Sequence, residues 1–263
     1  MSDIKIGVIG GTGLYSLLEQ VEFIDIETPF GKPSESIAVG KYMNKSIAFL
    51  PRHGQNHAIA PHKINYKANI WALKQCGVKY LISPCAAGSL QKNIKPGDFV
   101  ISDQFIDRTK HRLDTFYDTS PVTHMPGAEP FCNYLRDLAY KSFKTLRLPV
   151  HAKGTTVVIE GPRFSSKAES NWFTQMGWHV INMTLYPEVI LAKELEMSYV
   201  NIALITDYDT GFDGEFEPVT ATEAVKVFKE NIEKLKSGVF KLIEAIDTSK
   251  KTDSHSALST ARF

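Results

Sequence analysis

The sequence predicts an α/β fold, a mostly parallel sheet wrapped by helices, and three observations carry that expectation. Short apolar runs bounded by glycine, proline or polar clusters recur along the chain and read as strands buried on both faces. Segments with helical period lie between them, and strands alternating with helices build parallel sheets. The length, 263 residues, suits one large core, with no internal repeat or linker dividing it.

The strands are expected at residues 4–9, 47–51, 80–83, 99–101, 155–159 and 199–205. Between them, Phe131, Leu135, Leu138 and Phe143 recur at helical intervals, and Pro187 stands in a first helical turn ahead of Val189, Leu191, Ala192 and Leu195. Thr220 and Glu223 form a capping-box pattern before the stripe Val225, Phe228, Ile232, Leu235, Val239, Leu242 and Ile246, which is expected to lie on the core. The domain therefore runs over residues 1–246. Residues 247–263 are polar and poor in large apolar groups, the composition of a disordered or loosely attached tail.

Charge and cysteine content exclude several functions. A formal net charge of +1, with no run of five like charges, lacks the footprint of a nucleic-acid or acidic-membrane binder. Cys76, Cys85 and Cys132 match neither a zinc ribbon nor a disulfide framework and fit reduced thiols. The first residues lack the charged and apolar regions of a signal peptide, and no stretch approaches the ~20 apolar residues of a membrane helix. A cytoplasmic protein is the expectation.

Four stretches carry possible chemistry. In IGVIGGTGLY a strand runs into Gly10, Gly11, Thr12 and Gly13, which reads either as a tight turn or as a cradle whose N–H groups and Thr12 hydroxyl hold a small anion. It fits neither the dinucleotide nor the P-loop frame. In PRHGQNH, His53 and His57 stand four apart like metal ligands, but Gly54, Asn56 and Pro61 argue for a loop; Arg52 reads as a bidentate clamp on an oxyanion, supported by His53, or as a surface ion pair. In ITDYDTG, Asp207 and Asp209 project to one side at a strand's C-terminal end, where ligands bind in open α/β sheets. Two close carboxyls tend to share one proton, which suits an adenine edge: a carboxylate accepts from N6 and a protonated carboxyl donates to N7. Turn-forming aspartates are the plainer reading. Cys85 in SPCAAGSL has no histidine partner in the sequence pattern and reads more simply as a small strand residue than as a nucleophile.

Taken in order, GVIGGTGLY, PRHGQNH, HKINYKANIWALK, AAGSL, PGDFVISDQFIDRT, IEGPRFSSKAES, INMTLYPEV and TDYD resemble the purine nucleoside phosphorylase family, in its methylthioadenosine branch. The resemblance implies a single domain with a mixed sheet flanked by helices, assembled as a trimer or a hexamer. It implies phosphorolysis of S-methyl-5′-thioadenosine, with inorganic phosphate as co-substrate and no metal or other cofactor. By the matching motifs it assigns phosphate to Thr12, Arg52, His53, Ala86 and Thr184, the base to Phe164 and Ile181, the ribose to Met183, and the adenine edge to Asp207 and Asp209, with Asp207 as the acid at N7. His124 is the residue expected to be lent to the methylthio pocket of a neighbouring subunit, and Val219 and Ala221 are candidates for that pocket. Cys85 stands where the family has a Ser or Thr hydroxyl. A broader purine nucleoside phosphorylase, a nucleoside-binding protein without turnover and a dinucleotide-dependent oxidoreductase are the competing readings.

Overall fold

The computed structural model describes residues 4–11, 18–212 and 214–262. Its sheet is mixed, with parallel pairing at the centre. Strand β1 (Ile6–Gly10) lies between β4 (Lys45–Pro51) and the first residues of β5 (Tyr80–Ser89), parallel to both, while β2 (Glu19–Ile24) and β3 (Ile37–Tyr42) extend the β4 side antiparallel. Period-two alternation divides β1 between two cores: Ile6 and Val8 face one side, Ile9 the other.

The site is made possible by β5. Its pairing with β1 ends at Ile82, while on its other side it runs parallel to β11 (Ser198–Asp207) as far as Gly88. At Gly88 and Ser89 it joins β10 (Val180–Asn182), and through it β9 (Thr155–Ile159) and β7 (Gln104–Arg108). Residues 83–87 are therefore left without a ladder partner on the β1 and β10 side, and the sheet divides into two wings there. Across β11, β6 (Phe99–Ile101) pairs antiparallel and carries β8 (Val150–His151).

Helices cover both faces. α1 (Tyr66–Gln75), N-capped by Asn65, and α4 (Leu185–Glu194) pack over Ile9, Leu50 and Leu81; α2 (Asn133–Thr145) and α5 (Ala221–Ala245) pack over Ile6, Val8 and Ile82. α3 (Lys167–Gln175) opens with a capping box of Ser166 and Glu169 and seats Phe173 on Val157 and Ile181. The Thr220 cap forms as expected: its hydroxyl accepts from Glu223 N–H at 3.2 Å and donates to the Glu223 carboxylate at 3.0 Å. Among the described residues no helix is long and apolar enough to cross a membrane.

Two expectations need correction. The α5 stripe is fully buried only from Leu235 onward, with Phe228 and Ile232 partly buried against the core; Val225 is 51% exposed, and the first turns of α5 border a chamber. The segment after Asp247 is also not loose. Residues Asp253–Thr260 form a 3-10 helix, Ala257 and Ala261 are buried, and Ser198 Oγ meets Thr252 Oγ1 at 2.7 Å. Further anchors are His255 to Lys79 O at 3.2 Å and Leu258 N–H to Glu196 Oε1 at 3.2 Å. Small alanines and hydrogen bonds to polar groups of other segments do the docking, so the lack of large apolar groups misleads.

Candidate active site

At the division of the sheet lies a chamber of about 610 Å³. Arg52, His53, Ala86 and Thr184 line it together with Asp207 and Asp209, and Phe164, Ile181 and Met183 also border it. Nine of the residues assigned to phosphate, base, ribose and adenine edge thus border one cavity. Thr12 lies outside the described residues, although Gly11 before it reaches the chamber. His124 does not border the chamber of its own chain. It is exposed, and its backbone N–H donates to Ala261 O at 2.8 Å. Val219 is absent from the wall, whereas Ala221, Ala224, Val225 and Phe228 supply an apolar face from the start of α5.

The carboxyl pair sits where β11 breaks register after Ile205. Asp207 Oδ2 accepts from Thr206 Oγ1 at 2.7 Å and Oδ1 from Asp209 N–H at 2.8 Å, so the backbone of one aspartate holds the carboxyl of the other. Asp209 adopts a left-handed φ of 52°, and its Oδ2 is buried with no hydrogen-bond partner among the described residues. Burial raises the pKa of both. In Asp207 the Thr206 hydroxyl and Asp209 N–H pull the other way; in Asp209 the hydroxyls of Ser170 and Ser165 do so, while Asp207 adds to the rise. Gly88 leaves the room this requires, because a Cβ there would stand 2.7 Å from Asp207 Oδ1.

Arg52 does form a bidentate clamp, but on Glu188. Nε donates to Oε2 at 2.7 Å and Nη2 to Oε1 at 3.0 Å, with both side chains buried. Nη2 also meets Ile9 O and Ser83 Oγ, and Nη1 meets Pro84 O at 3.2 Å. Burial opposes the charge on Arg52, and Glu188 more than restores it, so the guanidinium stays protonated. Of its five donors, one Nη1 hydrogen is left over among the described residues. The sequence reading missed Glu188; its one signal was a charged residue inside the apolar run PEVILA.

His53 is neutral near pH 7. Burial, with Arg52 adding to it, brings its pKa down to about 4, and its Nδ1 lies 2.9 Å from Ile59 O. A carbonyl can only accept, so the proton is on Nδ1 and Nε2 carries the lone pair. The His57 ring stacks on it with centroids 4.0 Å apart. Ala86 is an exposed residue in an otherwise buried strand, at the stretch of β5 that lacks a partner. Thr184 caps α4 by position, yet its hydroxyl makes no capping bond, so the first-turn N–H groups of that helix are not claimed by it. Cys85 Sγ accepts from Asn182 and Asn201 amides at 3.4 Å each, and burial pushes its thiol pKa up, which is the opposite of an activated nucleophile.

Arg112, also unanticipated, ties the walls together. Its Nη2 donates to Glu160 O at 2.9 Å and Met183 O at 2.7 Å, and its Nη1 to Tyr186 O. It thereby joins the end of β9 to the turn between β10 and α4 that carries Met183 and Thr184.

Residues 5–245 match the phosphorylase superfamily, and the chain belongs to it. Within it, this chain is similar to curated proteins named S-methyl-5′-thioadenosine phosphorylase. The one from Thermofilum pendens is 49% identical over 263 residues, 99% of either chain; the one from Saccharolobus solfataricus is 51% identical over 245 residues, 92% of this chain and 90% of the relative. Among solved structures, a methylthioadenosine phosphorylase from an Antarctic soil metagenomic library superposes with a TM-score of 0.94 at 39% identity, over 100% of this chain and 93% of that one. An adenosine/methylthioadenosine phosphorylase variant from Schistosoma mansoni, in complex with adenine, gives a TM-score of 0.92 at 37% identity, over 98% and 99%.

Proposed function

We infer that this chain catalyses phosphorolysis of S-methyl-5′-thioadenosine, releasing adenine and 5-methylthioribose 1-phosphate, and that it works in purine salvage. The relatives named above support the reaction. The observation that carries the assignment of ends is the shared chamber, with an orphaned buried carboxylate oxygen on Asp209 at one side and the division of the sheet at the other.

In this reading phosphate lies against the unpaired stretch of β5, near Ala86, Thr184, His53 and the remaining N–H of Arg52, with the Thr12 hydroxyl assigned to it from the sequence. Its oxygen attacks C1′ as the bond to N9 breaks, through a transition state that is cationic on the sugar and anionic on the purine. Asp209 accepts from N6. Asp207, protonated, donates at N7 and stabilises the departing adenine, a contribution of typically ~10²–10⁴ in rate for a placed acid. Phe164 and Ile181 flank the base and Met183 lies along the ribose. No metal or redox cofactor takes part; phosphate is the co-substrate.

A 6-oxo purine would set its O6 acceptor against the Asp209 carboxylate, so adenine is preferred over hypoxanthine. The apolar wall of Ala221, Ala224, Val225 and Phe228 suits a methylthio group better than a hydroxyl. We further propose that the chain is cytoplasmic and acts as a trimer or hexamer, with His124 completing a neighbour's methylthio pocket. Comparing kcat/KM on methylthioadenosine, adenosine and methylthioinosine tests the specificity: methylthioadenosine first and methylthioinosine last is expected, and equal values on all three would overturn it.

A further inference from the structure

We propose that Glu188 is a positioning residue for phosphorolysis: by occupying the bidentate face of Arg52 it cancels the guanidinium charge and leaves a single N–H for the attacking anion, so phosphate is held by hydrogen bonds and not by an ion pair. The proposal rests on the reading above that phosphate occupies this end of the chamber.

The geometry argues for a deliberate neutralisation. An arginine free to bind phosphate would offer it two parallel N–H groups. Here Glu188 takes that fork, and its carboxylate is itself locked from the far side: Ser83 Oγ donates to Oε1 at 2.5 Å and Tyr199 OH donates to the same oxygen at 2.7 Å. All four side chains are buried, and they come from four different elements, the end of β4, β5, α4 and β11. Rotation of Arg52 into the chamber would break its hydrogen bonds to Glu188 and Ser83, together with those to Ile9 O and Pro84 O.

The neighbouring His53 adds no charge, since burial beside Arg52 keeps its ring neutral near pH 7, and its Nδ1 hydrogen goes to Ile59 O. The described side chains at this end therefore carry no net positive charge. Such a site holds phosphate weakly in the ground state, and the anion's charge stays available to the cationic sugar as the transition state forms. Interactions that strengthen only at that point raise kcat, whereas a tight ground-state ion pair would lower KM without raising it.

Glu188→Gln is the test. The amide keeps the shape of the carboxylate and removes its charge, so the buried cation of Arg52 is left to find another anion, and inorganic phosphate is the one that enters the chamber. The expected result is a phosphate KM lowered several-fold and kcat lowered about tenfold or more, with adenine affinity within about twofold of the parent. The rise in Tm on adding inorganic phosphate should be larger in the variant than in the parent. That second readout holds even for a variant that folds poorly without anion, because phosphate should then restore it. In the double variant Arg52→Met with Glu188→Met, both the lowered KM and the enhanced phosphate response should vanish. A Glu188→Gln protein with an unchanged or raised phosphate KM, or with no greater thermal response to phosphate than the parent, would overturn the proposal. Failure of the parent itself to use phosphate would instead overturn the functional reading beneath it.

Discussion

Asp207 ends β11 and Asp209 follows two residues on in a left-handed turn, not on the extended strand. The register of β11 breaks after Ile205, the Asp209 N–H fixes the Asp207 carboxyl, and burial raises both pKa values. Asp207→Ala should therefore lower kcat by ~10²–10⁴ with little change in phosphate KM, read by steady-state kinetics on methylthioadenosine. The pair also fixes the sign of the pH dependence. The acid must hold its proton to donate at N7, so kcat should fall as pH rises through the raised pKa, and Asp207→Ala should lose that basic limb. Arg52 behaves less simply than its motif suggests. Truncating it to Ala would strand Glu188 as a buried charge, at a cost of about 3–5 kcal/mol, so a calorimetric Tm should drop along with phosphate use.

Among the elements, those hidden on both faces were the most legible. The apolar runs expected at 80–83, 155–159 and 199–205 lie within or coincide with β5, β9 and β11, because continuous Val, Ile and Leu leave few alternatives. β2 escaped notice since its residues are mostly exposed and carry no apolar run, and α1 because Lys67 and Asn69 break the stripe while being buried themselves. Residue types at the purine end were visible in ITDYDTG and GPRF, whereas the Arg52–Glu188 pairing spans 136 positions and left no local trace. The docked C-terminal turn was hidden for a related reason, its anchors being Ser198, Glu196 and Lys79, all far off in the sequence. One glycine illustrates an element-level constraint. Gly238 of α5 lies under the Phe143 ring of α2, where a Cβ would come within 2.3 Å of the ring. Gly238→Ala should cost about 1–3 kcal/mol in denaturant unfolding and leave the KM values unchanged; a neutral effect would mean the two helices can part.

For the whole molecule, His53 couples the site to stability. Its folded pKa of about 4 lies below the ordinary 6.5, so between those values the unfolded chain binds a proton that the native protein does not. Stability should fall as pH drops from about 6.5 towards 4. The raised aspartates act in the opposite sense, since the native state then holds the extra proton and their contribution declines as pH rises through the raised values. Comparing Tm across this range in the parent and in His53→Asn isolates the histidine: the variant should show a shallower acid loss, and an identical slope would remove His53 from the account. The central claim is that one chamber holds a purine and an anion on either side of a ribose. It is tested most directly by following adenine release from methylthioadenosine in matched buffers with and without inorganic phosphate. Stoichiometric adenine and 5-methylthioribose 1-phosphate, formed only when phosphate is present, is the predicted result; adenine released at the same rate without phosphate, or not at all with it, would contradict the account.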